Sequence, residues 1–350
     1  MLRRPERLTL VGVTMWALTI AVAVFVIAGT IATLTSGEIS GTTWTRLVVA
    51  GLSTGAIYAL IALGYTLVYG VLLMINFAHG EVFMLGAFGG MFAADALLGA
   101  DGPMVNAPLV AILIVFLVAM ATSMLVALVL ERVAYRPLRG APRLVPLITA
   151  IGASLFLQYT AFGMFGPRTQ RYPSIEILEG RINLLGLQFA RIQIVTIIAA
   201  VVLMAILYYI VERTRTGRSM RAVSEDKDVA SLMGIDVDRT IVTTFAIGGL
   251  LAGAAAVLYS LLFLSVDFGM GILPGIKAFT AAVLGGIGSI TGAMVGGVAI
   301  GVLETVAPSL ILSGFGVPSP AQLSDVVAFS VLVLVLIVRP AGLFGRREKV

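Results

Sequence analysis

Asn76, His79 and Glu81 sit close together in a stretch that is otherwise apolar, and Glu304 stands in a later apolar run. Asp267 and Lys277 flank a second interruption, and Gln158 lies in an apolar run of its own. Ionisable groups inside a membrane are costly and mark solute or proton pathways, or the polar supports beside them. These side chains could hydrogen-bond the charged end of a solute or carry protons. A plainer account has His79 and Glu81 cap a turn near the inner membrane surface and pair with each other, with Glu304 neutral on a backbone carbonyl. They do not make an enzyme. With no cysteine, one histidine and no adjacent nucleophile–base pair, the groups for covalent or acid–base catalysis are missing. The same counts exclude disulfide frameworks and thiolate metal sites, and they leave little scope for an imidazole-ligated metal. No G-x-x-x-x-G-K-[ST] loop precedes Lys227, Lys277 or Lys349, so the chain cannot cradle ATP phosphates in that way.

A second candidate site lies in the charged segment 212–240. Ser224 reads as an N-cap, Glu225, Asp226 and Asp228 suit the positive end of a helix, and Gly234 reads as its C-cap. Val229, Leu232 and Met233 then fall at i, i+3 and i+4, an apolar stripe on a helix of about three turns. A short capped helix with one apolar face suits docking into a groove on a partner protein. It could also lie on the bilayer surface or pack beneath the bundle.

The elements that must position these residues are membrane spans. The 350 residues are 59% hydrophobic and 12% charged with a mean hydropathy of +1.06, whereas soluble domains carry about 25% charged residues. A crossing needs about 20 apolar residues. Ten runs approach that length: Leu10–Leu34, Leu47–Ile75, Gly80–Leu98, Pro108–Leu130, Leu144–Phe165, Ile192–Val211, Ile241–Val266, Gly275–Ile290, Gly292–Leu312 and Leu323–Val338. The first exceeds a signal peptide's apolar region and reads as a retained anchor. Gly275–Ile290 is short, so it is broken or re-entrant. Basic residues set the orientation: Arg3, Arg4 and Arg7; Arg132, Arg136, Arg139 and Arg143; Arg213, Arg215, Arg218, Arg221, Lys227 and Arg239; Arg339, Arg346, Arg347 and Lys349. Even numbers of spans separate these groups, which puts both termini in the cytoplasm and makes the net charge of +5 a topology signal rather than a sign of nucleic-acid binding. Gly166–Ala190 is then the longest external loop.

Two blocks mirror each other. Each opens with a long Gly-rich helix and breaks, at Asn76–Gly80 and at Leu273-Pro274-Gly275. Each break leads into a short helix closed by paired glycines, Gly89-Gly90 and Gly285-Gly286. Glycines four residues apart (Gly51 and Gly55, Gly86 and Gly90, Gly249 and Gly253, and the ladder Gly288, Gly292, Gly296) give close-packing helix faces. The blocks enter from opposite sides, a transporter architecture in which one pseudo-symmetric fold opens to either side. The expected fold is therefore all-α, a polytopic transmembrane bundle of about ten spans with inverted-repeat halves. It is a single permease domain with an anchor (1–45), a first repeat (46–166), connecting spans with the 212–240 segment (167–240), a second repeat (241–338) and a tail (339–350).

The runs Gly55–Thr66, Met74–Glu81, Glu131–Leu138, Arg221–Ile235 and Lys277–Ile290 resemble the LivH-type permease. That family supplies one of two membrane subunits of bacterial branched-chain amino acid ABC importers. The resemblance spans nearly everything from Thr45 to Gly345, leaving residues 1–34 as an extra helix. It implies an inner-membrane protein without a cofactor of its own, whose ATP is used by partner subunits. Those partners are a LivM-like second permease, two cytoplasmic ATPase subunits and a periplasmic substrate-binding protein. It also implies that Ser224, Glu225, Asp226, Val229, Leu232, Met233 and Gly234 couple the permease to an ATPase. Asn76, His79, Glu81 and Glu304 are the candidates for polar partners along the path. Related permeases for urea or short-chain amides share much of this pattern. An ion-coupled carrier working through Glu81 and Glu304 is a further alternative.

Overall fold

The computed structural model describes residues 10–345 apart from 38, 100, 101, 143, 185 and 340. The basic residues Arg3, Arg4, Arg7, Arg143, Arg346, Arg347 and Lys349 lie outside the described residues.

Every apolar run is helical. The helices are α1 (Leu10–Ser36), α2 (Gly41–Leu72), α3 (His79–Leu98), α4 (Pro108–Leu130), α5 (Leu144–Phe165), α6 (Arg191–Arg213), α7 (Arg215–Glu225), α8 (Lys227–Leu232), α9 (Val237–Phe263), α10 (Ile272–Gly285), α11 (Ile290–Leu312) and α12 (Ser324–Val338). Eight of these regions are long and apolar enough to cross a membrane. With α1 and the short α10 they occupy the ten expected positions. At about 1.5 Å per residue, α10 spans about 21 Å, short of the roughly 30 Å hydrocarbon core. The 166–190 segment is not a plain loop. It carries a hairpin of β2 (Arg181–Leu184) and β3 (Leu187–Ala190), and its β1 (Gln170–Arg171) pairs with β4 (Ser265–Val266) after α9.

The two halves pack reciprocally. α2 lies mainly along α11 and α9 along α4, α2 and α9 pack on each other, and the short helices follow the same pattern, α3 against α4 and α9 and α10 against α11 and α2. Small residues form the seams, as close backbone approach requires. Gly51 and Gly55 face Gly297 and Gly301 of α11, and Gly249 and Gly253 face Ala119–Met124 of α4. A methyl group on Gly55 would sit 2.9 Å from the Gly297 carbonyl oxygen, so these seams tolerate no added atom.

Both long central helices stop in the same unusual way. α2 ends on Leu73 and α9 on Leu264, each in the left-handed region at φ 55° and 53°. That conformation strains a residue with a Cβ, and such strain persists only where surrounding structure enforces it. Beyond Leu73 the chain turns back into the bundle. The His79 ring lies against Gly64 and near Gly248, about 12 Å in from Leu72 and about 17 Å in from Val237. The turn expected at the membrane surface is therefore inside the protein.

Two expected boundaries change. The second break is Leu264–Gly271, and Pro274 falls in the first turn of α10, where its missing N–H removes no helical hydrogen bond. Gly89-Gly90 does not close α3. The helix continues to Leu98 with the pair packed against Thr122 and Ala119 of α4 and neither glycine at positive φ, whereas Gly286 at φ 103° does terminate α10.

Candidate functional site

The first break gathers three of the four path candidates. Asn76, His79 and Glu81 are all buried. The Tyr135 hydroxyl donates to Asn76 Oδ1 at 2.5 Å, and the Asn76 carbonyl accepts from the His79 backbone N–H at 3.1 Å. His79 sits edge-on to Tyr65 with ring centroids 5.0 Å apart, and its Nε2 has no hydrogen-bond partner among the described residues. Glu81 Oε1 accepts from Ser154 Oγ of α5 at 3.3 Å, while Oε2 has no partner among the described residues. His79 and Glu81 therefore do not neutralise each other.

Glu304 stands apart from that group. Its Oε1 accepts from Lys277 Nζ at 2.6 Å and from the Tyr58 hydroxyl at 3.4 Å. Lys277 also pairs with Asp325 at 2.6 Å, which joins α10, α11 and α12 through one buried ammonium. The neutral Glu304 on a carbonyl is not what forms. Asp325 was not singled out in the sequence, since nothing there connects the start of α12 with Lys277.

The two breaks touch. A Cβ on Gly271 would strike the Gly80 carbonyl and lie 2.8 Å from Glu81 Oε2, and one on Gly275 would lie 3.2 Å from Gly80 Cα. The N-terminal ends of α3 and α10, each carrying a positive partial charge, thus meet inside the bundle, as half-helices do at the centres of transporters.

The charged segment differs from expectation in its caps. Thr214 caps α7, whose amphipathic run absorbs Ser224 and Glu225 into its last turn. The Ser224 hydroxyl donates back to the Arg221 carbonyl at 2.8 Å, so it is not an N-cap. Asp226 is the cap instead, its Oδ1 accepting from the backbone N–H groups of Asp228 at 2.9 Å and Val229 at 3.0 Å. A side-chain oxygen that accepts from two backbone donors suits a helix start. The resulting α8 is six residues long, not three turns, and ends at Gly234 with φ 80°. Val229, Leu232 and Met233 are 53%, 86% and 77% exposed, so the stripe does not pack beneath the bundle. Ala230 is the side of α8 that is buried.

A contact set near α8 was not foreseen. Arg139 pairs with both Glu131 and Asp238, and Arg136 reaches Asp238 at 2.7 Å. The basic residues had been weighed only for topology, and the partner acids are remote in sequence.

Membrane-length helices, two interrupted helices meeting inside the bundle and a capped helix presenting an apolar face beyond it define a polytopic membrane transport protein. The chain belongs to the family described as branched-chain amino acid transport system / permease component, which matches residues 47–336. It is 42% identical to the high-affinity branched-chain amino acid transport system permease protein BraD of Pseudomonas aeruginosa, over 86% of this chain and 95% of that protein. It is 40% identical to the permease protein LivH of Escherichia coli K12, covering 85% and 94%. A probable LivH of Methanocaldococcus jannaschii is 27% identical, covering 82% and 88%.

Proposed function

We propose that this chain is one of two membrane subunits of an ATP-driven importer of leucine, isoleucine or valine, in a bacterial inner membrane. Its basic end and both termini face the cytoplasm, following the distribution of arginines. Two cytoplasmic ATPase subunits hydrolyse the ATP, a LivM-like permease completes the path, and a periplasmic binding protein delivers the solute on the side of the 166–190 segment. This chain holds no cofactor. Asn76, His79 and Glu81 lie within the subunit's own packing and support the half-helices. Glu304 belongs to the support of α10.

The observation that carries the reading is α8. Three large apolar side chains stand in the open on a rigidly capped helix, at the end of the molecule where the arginines cluster. Single exposed apolar residues need no explanation, but a stripe presented this way matches helix-in-groove docking.

The test is the variant Leu232→Asp with Met233→Asp. Both side chains are exposed, so the bundle folds. Co-purification of the ATPase subunits and accumulation of labelled leucine by the reconstituted complex should both be lost. Retention of both at the normal level refutes the reading. Excess isoleucine or valine should compete with leucine, and urea or acetamide should not. The opposite pattern assigns the solute to the amide class.

A further inference from the structure

Between the start of α9, just after α8, and the first break runs a series of contacts that joins two of the runs named above, Met74–Glu81 and Glu131–Leu138. Asp238 lies in the first turn of α9, immediately beyond the Gly234 turn that ends α8. Arg136 and Arg139 both bind Asp238 from the segment after α4, and Arg139 also holds the buried Glu131. Glu131 opens a π-helical turn, Glu131–Tyr135, that continues α4. Such turns are rare and concentrate at functional sites. Tyr135 closes the turn, fully buried, with its ring 5.6 Å from Phe245 of α9 and its hydroxyl on Asn76. The Asn76 carbonyl in turn receives the backbone N–H of His79, the first residue of α3. α8 joins this series at the start of α9, where the Ile235 N–H bonds back to the carbonyl of buried Ala230 at 3.0 Å. Burial and then the charge of Arg139 lower the pKa of Lys227, the first residue of α8.

We infer that the Glu131–Tyr135 turn is the relay between α8 and the α2–α3 break, with Tyr135 a positioning residue that moves Asn76 and the start of α3. The inference rests on α8 being the ATPase contact. A shift of α8 acts on Asp238 and Arg139, Arg139 acts on the turn through Glu131, and the Tyr135 hydroxyl passes it to the break. The π turn suits the role, because such single-turn bulges within α-helices recur at functional sites. Tyr135 acts through Asn76 and touches no solute.

The test uses the complete complex of both permeases, both ATPases and binding protein in proteoliposomes, reading leucine uptake and ATP hydrolysis together. Tyr135→Phe removes the hydroxyl and keeps the ring on Phe245. Uptake per ATP should fall roughly fivefold, the factor that one buried neutral hydrogen bond carries, while hydrolysis continues. Asn76→Ala should lower the ratio similarly, and the double variant should be no worse than either single, since both remove one bond. Tyr135→Phe with an unchanged ratio overturns the relay, as does a proportional loss of uptake and hydrolysis, the mark of a merely structural residue. Multiplying effects of the two single variants overturn it too. A wild-type complex whose hydrolysis drives no uptake sinks the functional reading itself, and the relay with it.

Discussion

The two breaks share a backbone and differ in their chemistry. Each follows a long helix that ends on a left-handed leucine, Leu73 or Leu264, and each restarts beside a glycine, Gly80 or Gly275, in contact with the other. Soon after the restart each carries one charged residue, Glu81 in α3 and Lys277 in α10. Lys277 is fixed by two carboxylates on two other helices. Glu81 has one hydroxyl, at 3.3 Å, and an oxygen without a partner among the described residues. Pseudo-symmetry in the fold therefore does not extend to rigidity. α10 is cross-tied by ion pairs, while α3 is held by packing and by neutral donors, Ser123 Oγ on the Val82 carbonyl at 2.9 Å and Ser154 Oγ on Glu81, with the Tyr135–Asn76 bond just ahead of it, and the half-helix without an ion pair is the one connected to α8.

Four substitutions would break or sharpen that contrast. The largest effect belongs to Lys277→Met, which leaves Glu304 and Asp325 without their shared cation. Removing one partner of a buried ion pair should destabilise the subunit by about 3 kcal/mol, read by thermal unfolding in detergent. A loss under about 1 kcal/mol would mean that the second break is not cross-tied. Next is Gly80→Ala, whose methyl group meets the Gly271 carbonyl, a backbone atom that cannot swing aside. It should cost about 2 kcal/mol, whereas Gly275→Ala, with nothing nearer than 3.2 Å, should cost about half as much. Equal losses would show that the contact between the half-helices is not where α3 is seated. The smallest effect is expected for Glu81→Gln, which keeps an acceptor for Ser154 and should stay within about 0.5 kcal/mol of wild type. A penalty matching that of Lys277→Met would erase the difference between the halves.

Hydropathy and glycine spacing made the spans and their seams legible, because a membrane span must satisfy its backbone polar groups within its own helix and approaches another helix closely through small residues. The polar cluster at Asn76–Glu81 was visible for a related reason, since ionisable groups are rare in such runs. Its depth was not. A surface turn and a re-entrant one have the same composition, and only the return of the chain past Gly64 distinguishes them. Ser224 and Asp226 are both good caps, and the choice depended on α7 taking up Ser224, which needs the preceding eleven-residue helix to be seen as a unit. The Lys277–Glu304–Asp325 and Tyr135–Asn76 contacts are set by helix packing across long sequence separations. Leucine at a left-handed position has no local signal at all.

The central claim is that this permease is driven from outside itself, through α8, by ATP-hydrolysing partners. The direct measurement is leucine accumulation in proteoliposomes containing this chain alone or the full complex, with the proton gradient dissipated and ATP held constant. Accumulation should require the full complex and ATP, and survive loss of the gradient. A gradient driven by the chain alone, or uptake that stops when the proton gradient collapses, contradicts the account.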